Sequence, residues 1–273
     1  MSLLKRKVKD WVPPVVLRTL RGLGNQGVKF QGNYATWEDA VSKSSGYDAD
    51  NILSKVLEAT LKVKCGEAVY ERDSVLFDQV QYAWPVTAAL MWAAAQNKGK
   101  LNVLDFGGAL GSSYFQNRRF LKGIADVKWS VVEQANFVKA GKKHIEDDVL
   151  RFYSSIESCL EEGRPNVVLL SSVMQYLENP YELFEKISES GACLMIIDRS
   201  PFKSGSNDEI FIQKVPKNIY DASYPMWVFS KSKFMSILNK DWRLINEEVS
   251  PEGEFKINKT KLTFQGMIFE RNN

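Results

Sequence analysis

Histidine and cysteine are scarce in this chain. Its 273 residues include one histidine, His144, and three cysteines, Cys65, Cys159 and Cys193, widely spaced and without a C-x-x-C pair. An odd, scattered set of thiols excludes a disulfide framework and points to a reducing compartment, and so few soft ligands exclude a zinc site. Carboxylate pairs such as Asp147-Asp148 are more often solvated than metal-bound. Long apolar runs are lacking too, since the longest, such as Ala83–Ala95, are too short to span a bilayer. No secretory leader is expected, because the basic start runs into Pro13-Pro14 rather than a long apolar stretch. The expected location is cytoplasmic. Internal repeats and low-complexity linkers are also missing. What is present is ordinary for a globular protein, 44% hydrophobic and 25% charged. The length suits one large α/β domain with a minor addition.

Positive charge gathers at the start. Residues 1–30 carry seven Lys/Arg against the single acid Asp10, a net +6, while the remainder nets −3. In LLKRKVKDWVPPVVLRTL the cations interleave with Leu3, Leu4, Val8, Trp11, Val15, Val16 and Leu17. A basic amphipathic arm of this kind either sits on an anionic membrane surface or packs its apolar side on the body with its cations in solvent. Nucleic acid is not an expected partner, because no basic stripe with stacking aromatics follows in the body.

Residues 31–100 read as a helical cap or lid. Thr36-Trp37-Glu38-Asp39 has a capping-box-like start. Asp50–Leu61 spaces Ile52, Leu53, Val56 and Leu57 on one helical face. Pro85 opens an apolar helix over Val86–Gln96 that suits burial against a sheet. From residue 101 the period changes. Leu101–Phe106, Val127–Val132, Leu150–Tyr153, Val167–Ser172 and Cys193–Ile197 read as strands. Helices follow the glycines after the first strand, cover Ala135–Ile145, and start after Asn179-Pro180 with Asn179 as cap. Such alternation means right-handed crossovers and a doubly wound sheet, to which Trp242–Glu248 and Leu262–Glu270 add a terminal antiparallel pair. The expected fold is α/β: a Rossmann-like, mostly parallel seven-stranded sheet with a C-terminal antiparallel strand, preceded by arm 1–30 and cap 31–100. Residues 101–273 form the ligand-binding domain, with 199–229 an insertion that shapes a substrate pocket.

One stretch looks built for a cofactor: VLDFGGALGSSYFQN, Val103–Asn117. The dinucleotide fingerprint needs glycine at its first, third and sixth positions. Starting at Gly107 those later positions are Ala109 and Ser112; starting at Gly108 they are Leu110 and Ser113. Neither register fits. The pattern is D-x-G-x-A-x-G, with Asp105 ahead of Gly107 and Gly111 closing the turn. This resembles the first motif of class I S-adenosylmethionine-dependent methyltransferases, with Ala109 replacing the middle glycine, a change the turn tolerates if that backbone keeps a negative φ. Such a cofactor has no pyrophosphate to rest on a helix N-terminus and needs close backbone approach instead. Glu133, at the end of the second strand, is placed to accept both ribose hydroxyls, as an acid does in dinucleotide sites too.

The resemblance extends along the chain. Pro165–Pro180, PNVVLLSSVMQYLENP, resembles the fourth-strand motif of these enzymes, where the chain leaves the sheet beside the transferable methyl. From Asn33 to Arg271, including GNYATWEDAVSKSSGYDADNIL, IDRSPF and YPMWVFS, the sequence is similar to a methyltransferase family associated with bacterial surface-polysaccharide synthesis. That resemblance implies S-adenosyl-L-methionine held by Asp105, Gly107, Gly108, Gly111, Glu133, Gln134 and Ser172, with adenine contacts at Ser154, Ser155 and Ile156. By association it implies a sugar or glycan acceptor. A different small molecule, methylated at nitrogen or oxygen, and an inactive cofactor-binding scaffold are the alternatives.

Methyl transfer from a sulfonium is an in-line displacement, so the protein must align the acceptor and, for a hydroxyl, remove a proton. The acceptor belongs beyond the carboxyl ends of the fourth and fifth strands. That location selects Tyr176, Asp198 and Arg199 as catalytic candidates, and Gln175, Tyr224 and Trp227 as substrate contacts. Asp198 is the first choice for a base or orienting group, although an acid in Asp-Arg-Ser-Pro can equally pair Arg199 and cap a loop. His144 has the pKa of a general base, yet it follows Lys142-Lys143 at a helix tail, where the dipole favours a surface histidine. Glu71-Arg72-Asp73 reads as a lid in which Arg72 binds the methionine carboxylate bidentately, or as a solvated cluster. Tyr70, Tyr82, Trp84 and Tyr176 are the aromatics available to face the sulfonium or a sugar ring, and since most aromatics are core residues only Tyr176 is taken as a site candidate.

Overall fold

The computed structural model describes residues 29–45, 49–215 and 222–272. Nearly all of the basic arm therefore lies outside the described residues. The chain enters through strand β1 (Lys29–Tyr34) and helices α1 (Trp37–Lys43) and α2 (Ala49–Cys65). Thr36 caps α1, its hydroxyl accepting from the Asp39 N–H at 3.1 Å. A hairpin, β2 (Tyr70–Arg72) and β3 (Val75–Phe77), then leads to α3 (Trp84–Gln96). The cap is thus not purely helical. KFQGNY in β1 alternates Phe30, Gly32 and Tyr34 with Lys29, Gln31 and Asn33, a short and only half-buried face that pairs with a distant partner strand.

The alternating part follows as β4 (Lys100–Phe106), α4 (Ser112–Leu121), β5 (Asp126–Val132), α5 (Ala135–Ala140), β6 (Leu150–Tyr153), α6 (Ile156–Glu161), β7 (Val167–Ser171), α7 (Glu182–Ser190) and β8 (Leu194–Lys203). Strands β9 (Glu209–Lys214) and β10 (Ser223–Ser230), helix α8 (Lys231–Leu238), and strands β11 (Trp242–Ile257) and β12 (Thr260–Arg271) complete it. Seven strands lie in the order β6-β5-β4-β7-β8-β12-β11. Those from β6 to β8 pair in parallel, and β12 runs antiparallel to both β8 and β11. This is the expected Rossmann-like sheet with its reversed C-terminal strand. Beyond the expectation, the end of β10 pairs in parallel with the last two residues of β8, β9 pairs β10 and β1 pairs β9, making a three-stranded wing.

Strand alternation sorts the core into two layers. Leu101, Val103, Trp129, Val131, Val167 and Leu169 face α2 to α5, while Leu104, Val132, Val168, Leu170, Met195 and Ile197 face α6 to α8. Each such fully buried side chain contributes about 1.5–3 kcal/mol.

Three elements differ from the sequence reading. Ala135–Ile145 is a short helix followed by one wide turn over Gly141–Ile145. Gly141 presses on the Phe152 ring, 2.6 Å from where its Cβ would lie, and Lys64 Nζ binds the carbonyls of His144 and Ile145 at 3.0 and 2.8 Å. Asn179 does not cap α7, which starts at Glu182 without a side-chain cap after a turn through Pro180 and Tyr181. Strand β8 does not stop at Asp198. It passes through a bulge in which Asp198 and Arg199 together oppose Gly266, and continues to Lys203. Among the described residues no helix is long and apolar enough to cross a membrane.

Candidate functional site

Parallel strands put the carboxyl ends of β4 to β8 on one edge, and loops leaving that edge are where such folds hold ligands. Gly107 follows β4 with φ of 71°, and its N–H donates to the Val132 carbonyl at 2.9 Å. A side chain here would overlap Val173; one on Gly108 would come within 2.5 Å of the Asp105 carboxyl. Gly111 (φ 90°) stands at the start of α4, its N–H bonded to the Gly108 carbonyl at 2.9 Å. Ala109 contradicts the sequence expectation. Its φ is 49°, so it occupies the left-handed region and bears the strain that a glycine would avoid.

Glu133 ties this turn to β5. Its carboxylate accepts from the Gln134 N–H at 2.6 Å and from the Ala109 N–H. Burial raises its pKa, against these two bonds. Two backbone bonds leave a carboxylate with lone pairs to spare for two further hydroxyls. Asp105 lies beneath the turn, fully buried, with Oδ2 accepting from Trp129 Nε1 at 3.0 Å and Oδ1 without a partner. Burial pushes its pKa up to about 7; the Trp129 bond opposes the shift and the Glu133 charge adds to it. Asp105 thus supports the turn from the core side. At the end of β6, Ser154 is exposed and Ser155 caps α6 through a reciprocal pair with Ser158. Ile156 is buried in the second core layer.

Beside this turn runs a cleft lined by Tyr70, Arg72, Tyr82, Ser112, Ser171, Asp198 and Arg199, among others. The bulge in β8 aims its two residues here. Asp198 Oδ2 accepts from the Ser171 hydroxyl at 2.8 Å and from Arg199 Nε at 3.3 Å. Arg199, with φ of 53°, also reaches Asp73 and Glu252, each at 3.8 Å. Burial works against its charge, but Asp73, Asp198 and Glu252 outweigh burial and hold it protonated. Arg72 contacts Gln81 at 3.3 Å and Glu252 at 3.9 Å. Five of the positive-φ residues other than glycine, Asp73, Ser74, Ala109, Ser172 and Arg199, belong to the turn, the cleft wall or the hairpin above it. Strain gathered in one place is characteristic of functional sites.

Several expected residues stand elsewhere. His144 is exposed at the far end of the turn after α5, toward the opposite edge of the sheet, because that helix runs back along it. Its backbone is held by Lys64, and it is no base for this cleft. Trp227 and Tyr224 are an odd number apart on β10 and so point to opposite faces. Trp227 gives its indole N–H to the Leu177 carbonyl at 3.0 Å and stacks on Trp37 at 5.8 Å, which makes it a packing residue. Tyr224 meets Tyr176 edge-on at 5.1 Å. The Tyr176 hydroxyl donates to Gln213 Oε1 at 3.0 Å, and its pKa is pushed up to about 12, first by burial. Gln175 is fully buried, donating to Ser172 Oγ at 3.0 Å and to the Arg199 carbonyl at 3.4 Å. It clamps the bulge rather than facing a ligand. Of the 199–229 insertion, Arg199 lines the cleft.

The sequence reading gave no site role to Ser112, Ser171 or Glu252, and it named Glu71 and Asp73 only as the flanks of Arg72 in the lid. Glu252 had no signal, because it lies in an irregular stretch of β11 that reaches the cleft only through the hairpin's register shift between Val249 and Glu254.

No family model matches the chain, and no curated protein matches its sequence. By shape the chain is similar to the N-terminal domain of EvdMO1, crystallised in the presence of SAH and D-fucose, at 11% identity over 83% of this chain and 98% of that one, with a TM-score of 0.48. It is similar to 1,6-didemethyltoxoflavin-N1-methyltransferase of Burkholderia thailandensis, with bound 1,6-didemethyltoxoflavin and S-adenosylhomocysteine, at 11% identity over 92% and 97% of the chains and a TM-score of 0.43. Magnesium protoporphyrin IX methyltransferase from Synechocystis PCC 6803 with bound SAM gives 11% identity over 82% and 98%, with a TM-score of 0.41.

Proposed function

We propose that the chain is an S-adenosylmethionine-dependent methyltransferase acting on a hydroxyl of a sugar or glycan intermediate. The observation that carries the cofactor is the convergence of the Ala109 and Gln134 N–H groups on Glu133. That contact fixes the glycine-rich turn after β4 against an acid at the end of β5. Glu133 would hold the ribose hydroxyls and the Gly107–Gly111 backbone the body of the cofactor, with Ser154 toward its adenine. The bound cofactor would supply an electrophilic methyl on a sulfonium.

The chain's own residues would then align the acceptor. Asp198 is held in one orientation by Ser171 and Arg199. An oriented carboxylate can accept the proton of an acceptor hydroxyl as the new O–C bond forms. The sugar class rests on the sequence resemblance and on a cleft wall of hydroxyls and phenols, Ser112, Ser113, Ser171, Tyr70 and Tyr82, suited to a polyhydroxylated ring. Calorimetry with S-adenosylmethionine and with NAD tests the cofactor; binding of NAD alone would sink the reading. A labelled-methyl screen over nucleotide sugars and glycan fragments tests the acceptor. With the acceptor it finds, Asp198→Asn should lower transfer by on the order of a hundredfold while leaving S-adenosylhomocysteine affinity intact.

A further inference from the structure

Glu71, in the middle of β2, is 1% exposed. Its Oε1 accepts from the Ser112 hydroxyl, and its Oε2 has no partner. Among the described residues no cation lies within ion-pair distance of it. Arg72, its neighbour in sequence, turns to Gln81, Glu252 and the Phe77 ring, while Arg199 is held by Asp73, Asp198 and Glu252. A buried acceptor left idle is costly, the more so if charged, and calls for a reason. Ser112 connects it to the ligand space, because that residue lines the cleft. The two guanidiniums that line the cleft, Arg72 and Arg199, are already matched by Asp73, Asp198 and Glu252, so neither is left over to pair with Glu71.

We propose that Glu71 is a proton-linked anchor for a cationic ligand group: an ammonium seated against Ser112 is recognised by the carboxylate behind it, and its arrival expels the proton that the empty site retains. The proposal rests on the S-adenosylmethionine reading, whose cofactor carries an α-ammonium. The one bond broken is the Glu71 carboxyl O–H, and its proton passes to the buffer base. The empty site does retain a proton near neutrality, since burial pushes this carboxyl up to about 7. The Ser112 hydroxyl on α4, the Ser74 N–H and the Arg199 charge on β8 oppose that shift, and Asp73 on the same hairpin adds to it. Tyr70 and Arg72 flank Glu71 on β2, and an added cation favours the ionised form.

Calorimetry at pH 7 in phosphate and in Tris, whose ionisation enthalpies differ, counts the protons released when S-adenosylhomocysteine binds. That probe has the ammonium but no sulfonium. The expected release is about half a proton, with affinity rising about tenfold from pH 6 to pH 8. Glu71→Gln keeps an oxygen for Ser112 and should show neither effect. Wild-type protein given 5′-methylthioadenosine, which lacks the amino-acid tail, should release none. Binding of S-adenosylhomocysteine without proton release, or equal release from Glu71→Gln, overturns the anchor and leaves the cofactor reading standing. No binding by the wild type overturns both. Should Glu71→Gln not fold, infrared difference spectra of wild-type protein with carbon-13 glutamate give the second measure. Ligand should convert a protonated-carboxyl band to a carboxylate band, and an unchanged spectrum overturns the proposal.

Discussion

Ala109 pays a conformational cost at the most constrained point of the molecule. A left-handed φ of 49° costs a residue with a Cβ roughly 1–2 kcal/mol, part of which glycine returns as unfolded-state entropy. Ala109→Gly should therefore raise stability by up to about 1 kcal/mol, read as a higher urea midpoint at unchanged slope. Asp105 sets a pH dependence. Its folded pKa of about 7 lies above the roughly 3.9 of an unfolded aspartate, so between those values the folded protein holds a proton that the unfolded chain has lost. Stability then falls as pH rises through that window, by up to about 1.4 kcal/mol per pH unit for each such group. The denaturation midpoint should drop from pH 5 to pH 8, and Asp105→Asn should flatten the drop; identical slopes would place the proton elsewhere.

Asp208 plays at the scale of elements the part that Glu133 plays at the turn. Its carboxylate accepts from the Ser230 N–H at 2.7 Å, the Tyr181 hydroxyl at 2.9 Å and Lys233 Nζ at 2.6 Å. It thereby pins the start of α7, the end of β10 and the first turn of α8. Asp208→Ala strips three partners at once and should cost about 2–4 kcal/mol in chemical denaturation. This staple, like the β8 bulge, was not legible in the sequence, and the reason is common to both. Strands β4, β5 and β7 are buried on both faces over most of their length, so their apolar runs announce them, whereas the edge strand β6, with Arg151 exposed, shows only alternation. Bulges and staples depend on register between segments far apart in the chain, which no local period encodes. The turn was legible because its glycines answer a local backbone demand. The cleft was half legible: Asp198 and Arg199 stood out as charges at a strand end, whereas Trp227 looked like a ligand platform only because an aromatic in a sequence does not show which face it takes.

The whole molecule divides its labour between a seven-stranded body and a wing. Trp227 belongs to the joint between them, stacked on Trp37 from α1. Trp227→Leu should cost about 2 kcal/mol of stability and leave S-adenosylhomocysteine affinity unchanged within about twofold. A large loss of affinity in a folded variant would return Trp227 to the ligand. The Arg199 network works at the same scale, drawing the β2–β3 hairpin, the β8 bulge and the β11 hairpin around one guanidinium.

Strand β10 holds β8 through two residue pairs, Phe229 with Phe202 and Ser230 with Lys203. A graft that short is a natural crossover point for chimaeras. The segment between Ser204 and Ser230 can be exchanged for that of a homologue while the register of the seven-stranded body stays as it is, provided Asp208 travels with the donor piece. Recombination at this joint would let one seven-stranded body carry interchangeable wings, and a library cut there should yield folded offspring more often than one cut inside β8.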